Sequence, residues 1–301
     1  MLIARSTNAH LSFFWEANYQ LAKDGNYRNV QFTSKDSRGN SLCRFEHYST
    51  TGEIYREGQV FQSYFPRFLC EPASTITPDG SITAPVDFTS IYLDGQAISS
   101  GDSTSGYRVD WQRGRIIFNQ AQDTSLVFSG EFPALDTLLH LPGDRYNRDT
   151  VVDQEFWLNS PHAFSGPVLA NPYELPWPII VMRRLFDSPD PVGMGNATKE
   201  HSQSWAFDIY AFNSVLVDSV VETIKGFNKG FVPVLNFGDS RVPPMLWDGS
   251  RNPTYSGWGV IRASDAVRQA YLYIDSVRTR FMPVQERKVR ARVVCNGSFY
   301  I

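Results

Sequence analysis

"SWAFDIYAFNSVLVDSVVETIKGF", residues 204–227, changes its period halfway along. In the first half Trp205, Phe207, Ile209 and Ala211 alternate with Asp208 and Tyr210, the period of two of a strand with one inward face. In the second half Leu216, Val217, Val220, Val221 and Ile224 gather on one helical face, while Asp218, Glu222 and Thr223 take the other. Asn213 or Ser214 can cap the first turn and Gly226 can end the last. The stretch therefore predicts a strand that runs into an amphipathic helix, and such a helix needs a sheet to cover.

Strand patterns lie on both sides of it. "PIIVMRRLF", residues 178–186, reads as a strand, followed by a long loop, "DSPDPVGMGNATKEHSQ", at 187–203. After the helix, Phe231–Phe237 returns as a strand, and Ala270–Met282 with Arg287–Tyr300 read as a terminal hairpin around Pro283-Val284-Gln285-Glu286. Prolines 142, 161, 167, 172, 176 and 178 exclude long regular elements from the preceding segment. Further upstream, "IYLDGQAISSGDSTSGYRVDWQRGRIIFN" at 91–119 gives three short strands with turns at Asp94-Gly95 and Arg113-Gly114. Leu11, Phe14, Trp15, Asn18 and Leu21 predict a short helix near 11–24 that stops at Gly25. The expected fold is α+β and strand-rich. It has a β-rich N-terminal module at 1–135, a Pro-rich connector at 136–177, and an α+β domain at 178–301 in which one main helix packs on an antiparallel sheet.

Composition narrows the function. The chain has 301 residues, enough for two cores, and its 42% hydrophobic and 14% aromatic content describes a folded, β-leaning protein. A net charge of -3 argues against a protein whose main business is a phosphate backbone. Cys43, Cys70 and Cys295 are odd in number and lack metal-ligand spacing, which suits synthesis in a reducing compartment. The N-terminal residues carry no secretory pattern and no stretch is apolar enough for a membrane helix, so a soluble chain kept off the secretory route is expected. Asn196 and Asn296 sit in glycosylation patterns that, without a signal, read as chance matches.

Catalytic constellations are wanting. His10, His47, His140, His162 and His201 lie far apart in sequence, with no His pair at helical metal spacing. His140, Asp144 and Asp149 could form an acid/base group, but Asp and Arg interleaved in a Pro/Gly loop describe a solvated turn. "VGMGNA", residues 192–197, lacks the third glycine and the Lys of a phosphate loop. In "ERKVRARVV" the side chains of Lys288, Arg290 and Arg292 alternate with Val289, Ala291 and Val293. This is either a basic stripe for an acidic partner or DNA, or a solvated strand face. No catalytic, cofactor or metal residue is assigned, and no enzymatic activity is expected.

Two sequence features resemble the structural proteins of the head-to-tail neck in tailed bacteriophages. The series "IYLDG", "YRVDWQRGRIIF" and "TSLVFSGEF" is similar to small β modules that recur in phage virion proteins. The order "PIIVMRRLF", "SWAFDIYAFNSVLVDSVVETIKGF", "FVPVLNFGD" and a final strand pair resembles the α+β subunit of tail-terminator and neck rings. The resemblance implies a homo-oligomeric ring of sixfold or twelvefold symmetry in the virion neck, joining portal or adaptor to tail tube or sheath proteins. It also implies non-specific passage of genomic DNA through the ring and no cofactor, with adaptor, terminator and neck decoration all open. A carbohydrate- or receptor-binding virion protein and a polysaccharide-degrading enzyme are the rival readings.

Overall fold

The computed structural model describes residues 2–23, 27–31, 43–45, 55–56, 58–63, 91–93, 95–98, 106–111, 114–123, 128–135, 138–140, 178–191, 199–211, 213–246, 252–283 and 289–300. The chain divides into two units, the first formed by residues 1–26, 136–242 and 258–301 and the second by 27–135 and 243–257. Both are strand-rich, and the fold is α+β.

The first unit is built on a six-stranded sheet. Its strands are β10 (Leu138–His140), β11 (Ile179–Pro191), β12 (Lys199–Ala211), β13 (Phe231–Leu235), β14 (Arg268–Pro283) and β15 (Val289–Tyr300). They lie in the order β10-β11-β12-β15-β14-β13, and every pairing is antiparallel except β10 with β11. Helices α1 (Leu2–Lys23) and α2 (Ser214–Lys225) share one apolar core with this sheet, and a short α3 (Trp258–Ala263) precedes β14.

The period change that opened the reading is a real junction. Trp205, Phe207, Ile209 and Ala211 of β12 join the core with Val217, Val220, Val221 and Ile224 of α2. The Asn213 side chain accepts a hydrogen bond from the Val215 N–H at 2.8 Å, and the Gly226 N–H closes the last turn on the Glu222 carbonyl. Leu216 departs from the expected face: it is exposed, because it stands at the margin of the apolar stripe.

The N-terminal helix is longer than its sequence pattern and belongs to this same sheet, so two helices, and not one, cover it. Ala9, Phe13, Phe14, Ala17 and Leu21 are its buried stripe. Phe13 makes edge-on contacts with Trp205, Phe207 and Phe227 at centroid distances of 5.0, 5.4 and 5.2 Å. The short reading near 11–24 failed because Ser6, Asn8, His10 and Ser12 look like a polar lead-in. They are instead consumed by the sheet: Ser6 receives Arg184 and Gln203, and the Ser12 hydroxyl accepts the Leu235 N–H at 2.9 Å.

The loop expected at 187–203 also differs. β11 and β12 extend through most of it, pairing Asp187 with Gln203 and Pro191 with Lys199. β15 supports the extension from the other side, with Glu200 opposite Tyr300. A polar sequence stays extended when a neighbouring strand supplies the ladder. The terminal hairpin agrees with its sequence pattern, with one refinement at a bulge between Ile274 and Ser276. Opposite it, Gly297 has no room for a side chain: a Cβ there would meet the Tyr273 carbonyl oxygen at 2.6 Å.

In the second unit the module at 91–119 forms four strands, not three. β4 (Ile91–Leu93) and β5 (Gln96–Ile98) turn at Gly95 with φ +81°, and they share a sheet with β8 (Phe128–Ser129). β6 (Tyr107–Asp110) and β7 (Arg115–Phe118) belong to a different sheet with β2 (Cys43–Phe45) and β3 (Val60–Ser63). That hairpin is closed by a buried ion pair, Arg115 Nε to Asp110 Oδ2 at 2.9 Å. β1 (Tyr27–Gln31) pairs with β9 (Glu131–Leu135).

Candidate functional site

The sheet face away from the helices carries the most concentrated chemistry of the first unit. The register places Asp208 of β12 opposite Arg292 of β15, Tyr210 opposite Arg290, and Arg280 of β14 opposite Arg292. Side chains two residues apart share a face, so Arg278, Arg280, Arg290, Arg292 and, on β11, Arg183 all rise from this surface.

Asp208 is fully buried at its centre. Arg292 grips it with two bonds, Nε to Oδ1 at 2.7 Å and Nη2 to Oδ2 at 2.9 Å. Arg183 Nε stands 3.5 Å from Oδ2 and Arg290 Nη2 stands 3.6 Å from Oδ1. The Arg290 guanidinium also lies 5.0 Å over the Tyr210 ring. One carboxylate thus orients the Arg292 guanidinium and lies within ion-pair range of two more. Arg278 and Arg280 are exposed and have no carboxylate partner among the described residues. The burial of Asp208 follows from this arginine cage, since a charge leaves water only when it is paired and hydrogen-bonded.

A second surface feature lies at the β13 edge of the same sheet. Phe231 is 63% exposed and packs 4.9 Å from Tyr273 and 6.2 Å from Tyr271, with Arg268 over the Tyr271 ring at 4.7 Å. The edge carries Pro233, which cannot donate to an incoming strand, so side chains and not backbone offer the contact here.

A cleft of about 600 Å³ beside α1 and α2 is lined by Glu16, Gln20, Glu222, Thr223, Phe231 and Arg262 among others. Both of its carboxylates are paired. Glu16 is buried and accepts from Trp258 Nε1 at 2.9 Å and Gln20 Nε2 at 2.8 Å, with Arg262 Nε at 3.2 Å, so its oxygens tie α1 to α3. Glu222 is exposed and pairs with Lys225 at 2.7 Å.

The residues weighed from sequence are scattered. His10 stands on α1 and turns toward the sheet, accepting the Trp205 indole N–H at Nδ1 over 3.1 Å, and burial followed by the Arg184 charge holds its pKa at about 4. His201 stacks on Phe299 at 5.3 Å. His140 sits in β10 opposite Val181. His47, His162, Asp144, Asp149, Lys288, Cys70 and residues 192–197 lie outside the described residues. Asn296 bridges strands, accepting from Ser204 at 2.7 Å and donating to Ser276 at 3.1 Å. Cys295 is buried and unbridged, and burial pushes its thiol up to about 12. Among the described residues no group of three His, Cys, Asp or Glu side chains could hold a metal ion. None of the helices among the described residues is long and apolar enough to cross a membrane.

Of the basic stripe read from sequence, Arg290 and Arg292 stand in the arginine face. Arg183, Arg278, Arg280 and Asp208 were missed as members. "VRTRF", residues 277–281, held the same alternation, but only the strand register shows that the two stripes are neighbours. No known family model matches the chain, and no curated protein matches its sequence.

Proposed function

We propose that this chain is a structural virion protein of a tailed phage, forming a homo-oligomeric ring in the neck between head and tail. Support comes from the order of elements at 178–301, strand, strand, helix, strand, short helix and terminal hairpin, which apart from the short helix is the order that carries the neck-ring resemblance. The observation that carries the reading furthest is the aromatic edge at β13. Phe231, Tyr271 and Tyr273 form an apolar patch at an open sheet margin, and such a margin suits a neighbouring subunit in a closed ring. Tail-terminator likeness, virion location and the portal, adaptor, tube or sheath partners belong to this proposal.

Light scattering of the purified chain, alone and with neighbouring virion proteins, tests it. A ring is expected for the native protein, and Phe231→Asp combined with Tyr271→Asp should leave a folded monomer. A native chain that stays monomeric with its neighbours present would refute the ring. The same aromatic patch supports a rival reading as a sugar-binding virion protein, because ring faces stack on apolar sugar faces. Saturable glycan binding lost in the same double variant would favour that rival.

A further inference from the structure

We infer that the arginine face of the six-stranded sheet is a binding surface for the phosphate backbone of duplex DNA. The inference stands on the geometry of this face and does not require the ring. Arg278 and Arg280 share one face of β14 and stand about 7 Å apart along the strand. Arg292 lies directly opposite Arg280, about 5 Å across, with Arg290 next along β15. Like charges directly opposed on a sheet destabilise it unless counter-charge is supplied. Asp208 supplies that counter-charge to Arg292, and among the described residues no carboxylate reaches Arg278 or Arg280. The Nε of Arg290 is buried and finds no acceptor among the described residues.

The neighbourhood selects the class of anion. A protein partner would be anchored by aromatic or large aliphatic side chains, and the exposed aromatic cluster stands instead at the far end of β14, at Tyr271 and Tyr273. Single strands need stacking platforms beside the charges, whereas Tyr210, the ring on this face, is buried beneath Arg290, and the exposed Phe281 belongs to the other face of β14, opposite Ala291. What remains is an array of guanidiniums bordered by Ser276, Ser204 and Asn296, the side chains of sequence-independent phosphate and sugar contact. The overall charge of -3 argues against a chain devoted to phosphate binding, but a local array sets the field that a phosphate meets at this face. Asp208 acts as a positioning residue. It holds Arg292 in a fixed fork and leaves Arg278 and Arg280 for the ligand.

The test is fluorescence anisotropy of a labelled duplex of about 20 base pairs across a salt series. The native full-length chain should bind with affinity that falls as salt rises and is indifferent to base sequence. Arg278→Gln with Arg280→Gln should weaken binding about tenfold or more at low salt and reduce the log–log salt slope by about 2. Lys23→Gln with Lys225→Gln makes the same change in net charge on exposed positions of the helices, and should bind as the native chain does. Circular dichroism and melting of both variants should match the native protein, because all four side chains are exposed. Unchanged binding in the Arg278/Arg280 variant, or an equal loss in the Lys23/Lys225 variant, overturns the proposal. So does displacement of the duplex by polyglutamate at equal charge, which would make an acidic protein the partner. A monomer that binds duplex in this way would refute the ring and leave this site standing.

Discussion

Acidification should loosen the packing of α1 on the sheet through His10. The Trp205 indole donates to His10 Nδ1 over 3.1 Å, and a protonated ring has no lone pair there to accept it. Burial, then the charge of Arg184, holds the pKa at about 4 against an ordinary 6.5. The unfolded chain therefore takes up this proton near pH 6.5 while the folded chain does so only near pH 4. Between those values the unfolded state binds more protons, so the contribution is whole above 6.5 and is lost as the pH falls toward 4. At about 1.4 kcal/mol per pH unit the full gap has a ceiling of about 3 kcal/mol, and partial exposure of the ring reduces the working figure to about 2 kcal/mol. Urea unfolding followed by tryptophan fluorescence between about pH 7 and about pH 5 measures the loss. Carboxylates titrate as well, so the comparison is with His10→Asn, whose side-chain oxygen can accept from Trp205 without titrating. The variant should lose about 1 to 2 kcal/mol less than the native chain over that interval. Parallel losses in the two proteins would refute the assignment to His10.

Asp208→Asn should cost about 3–5 kcal/mol in urea unfolding, since three guanidiniums lose their shared counter-charge within a buried site. Phe13→Ala should cost about 3–5 kcal/mol, because it removes the ring that fills the space between Trp205, Phe207 and Phe227; a melting scan with a loss under about 1 kcal/mol would contradict that packing. Cys295, with its thiol pushed up to about 12, should resist alkylation in the native protein and react on unfolding, as read by peptide mapping.

The parts of this fold that were legible in sequence are those whose local period matches their environment. Helix α2 and the terminal hairpin have one apolar and one polar face, and their caps and turn lie in the sequence beside them. Helix α1 was half hidden, because in its first turns Ser6, His10 and Ser12 accept hydrogen bonds from residues about 180 to 220 positions away, which no local pattern records. The extension of β11 and β12 was hidden for a similar reason, since it depends on the ladder offered by β15. The candidate site was visible only as the stripe of Arg290 and Arg292. Its other half, Arg278 and Arg280, has the same spacing, but a stripe on one strand becomes a face only through register. The burial of Asp208 was not legible, because burial of a carboxylate requires partners on other strands, and those partners are supplied by topology.

The central claim, a ring in the neck of a tailed particle, is tested most directly by electron microscopy of intact virions that carry a tag on this chain. The account predicts label at the junction of head and tail, in sixfold or twelvefold copy number around the particle axis. Label on the tail fibres, or particles that contain none of the chain, would contradict it.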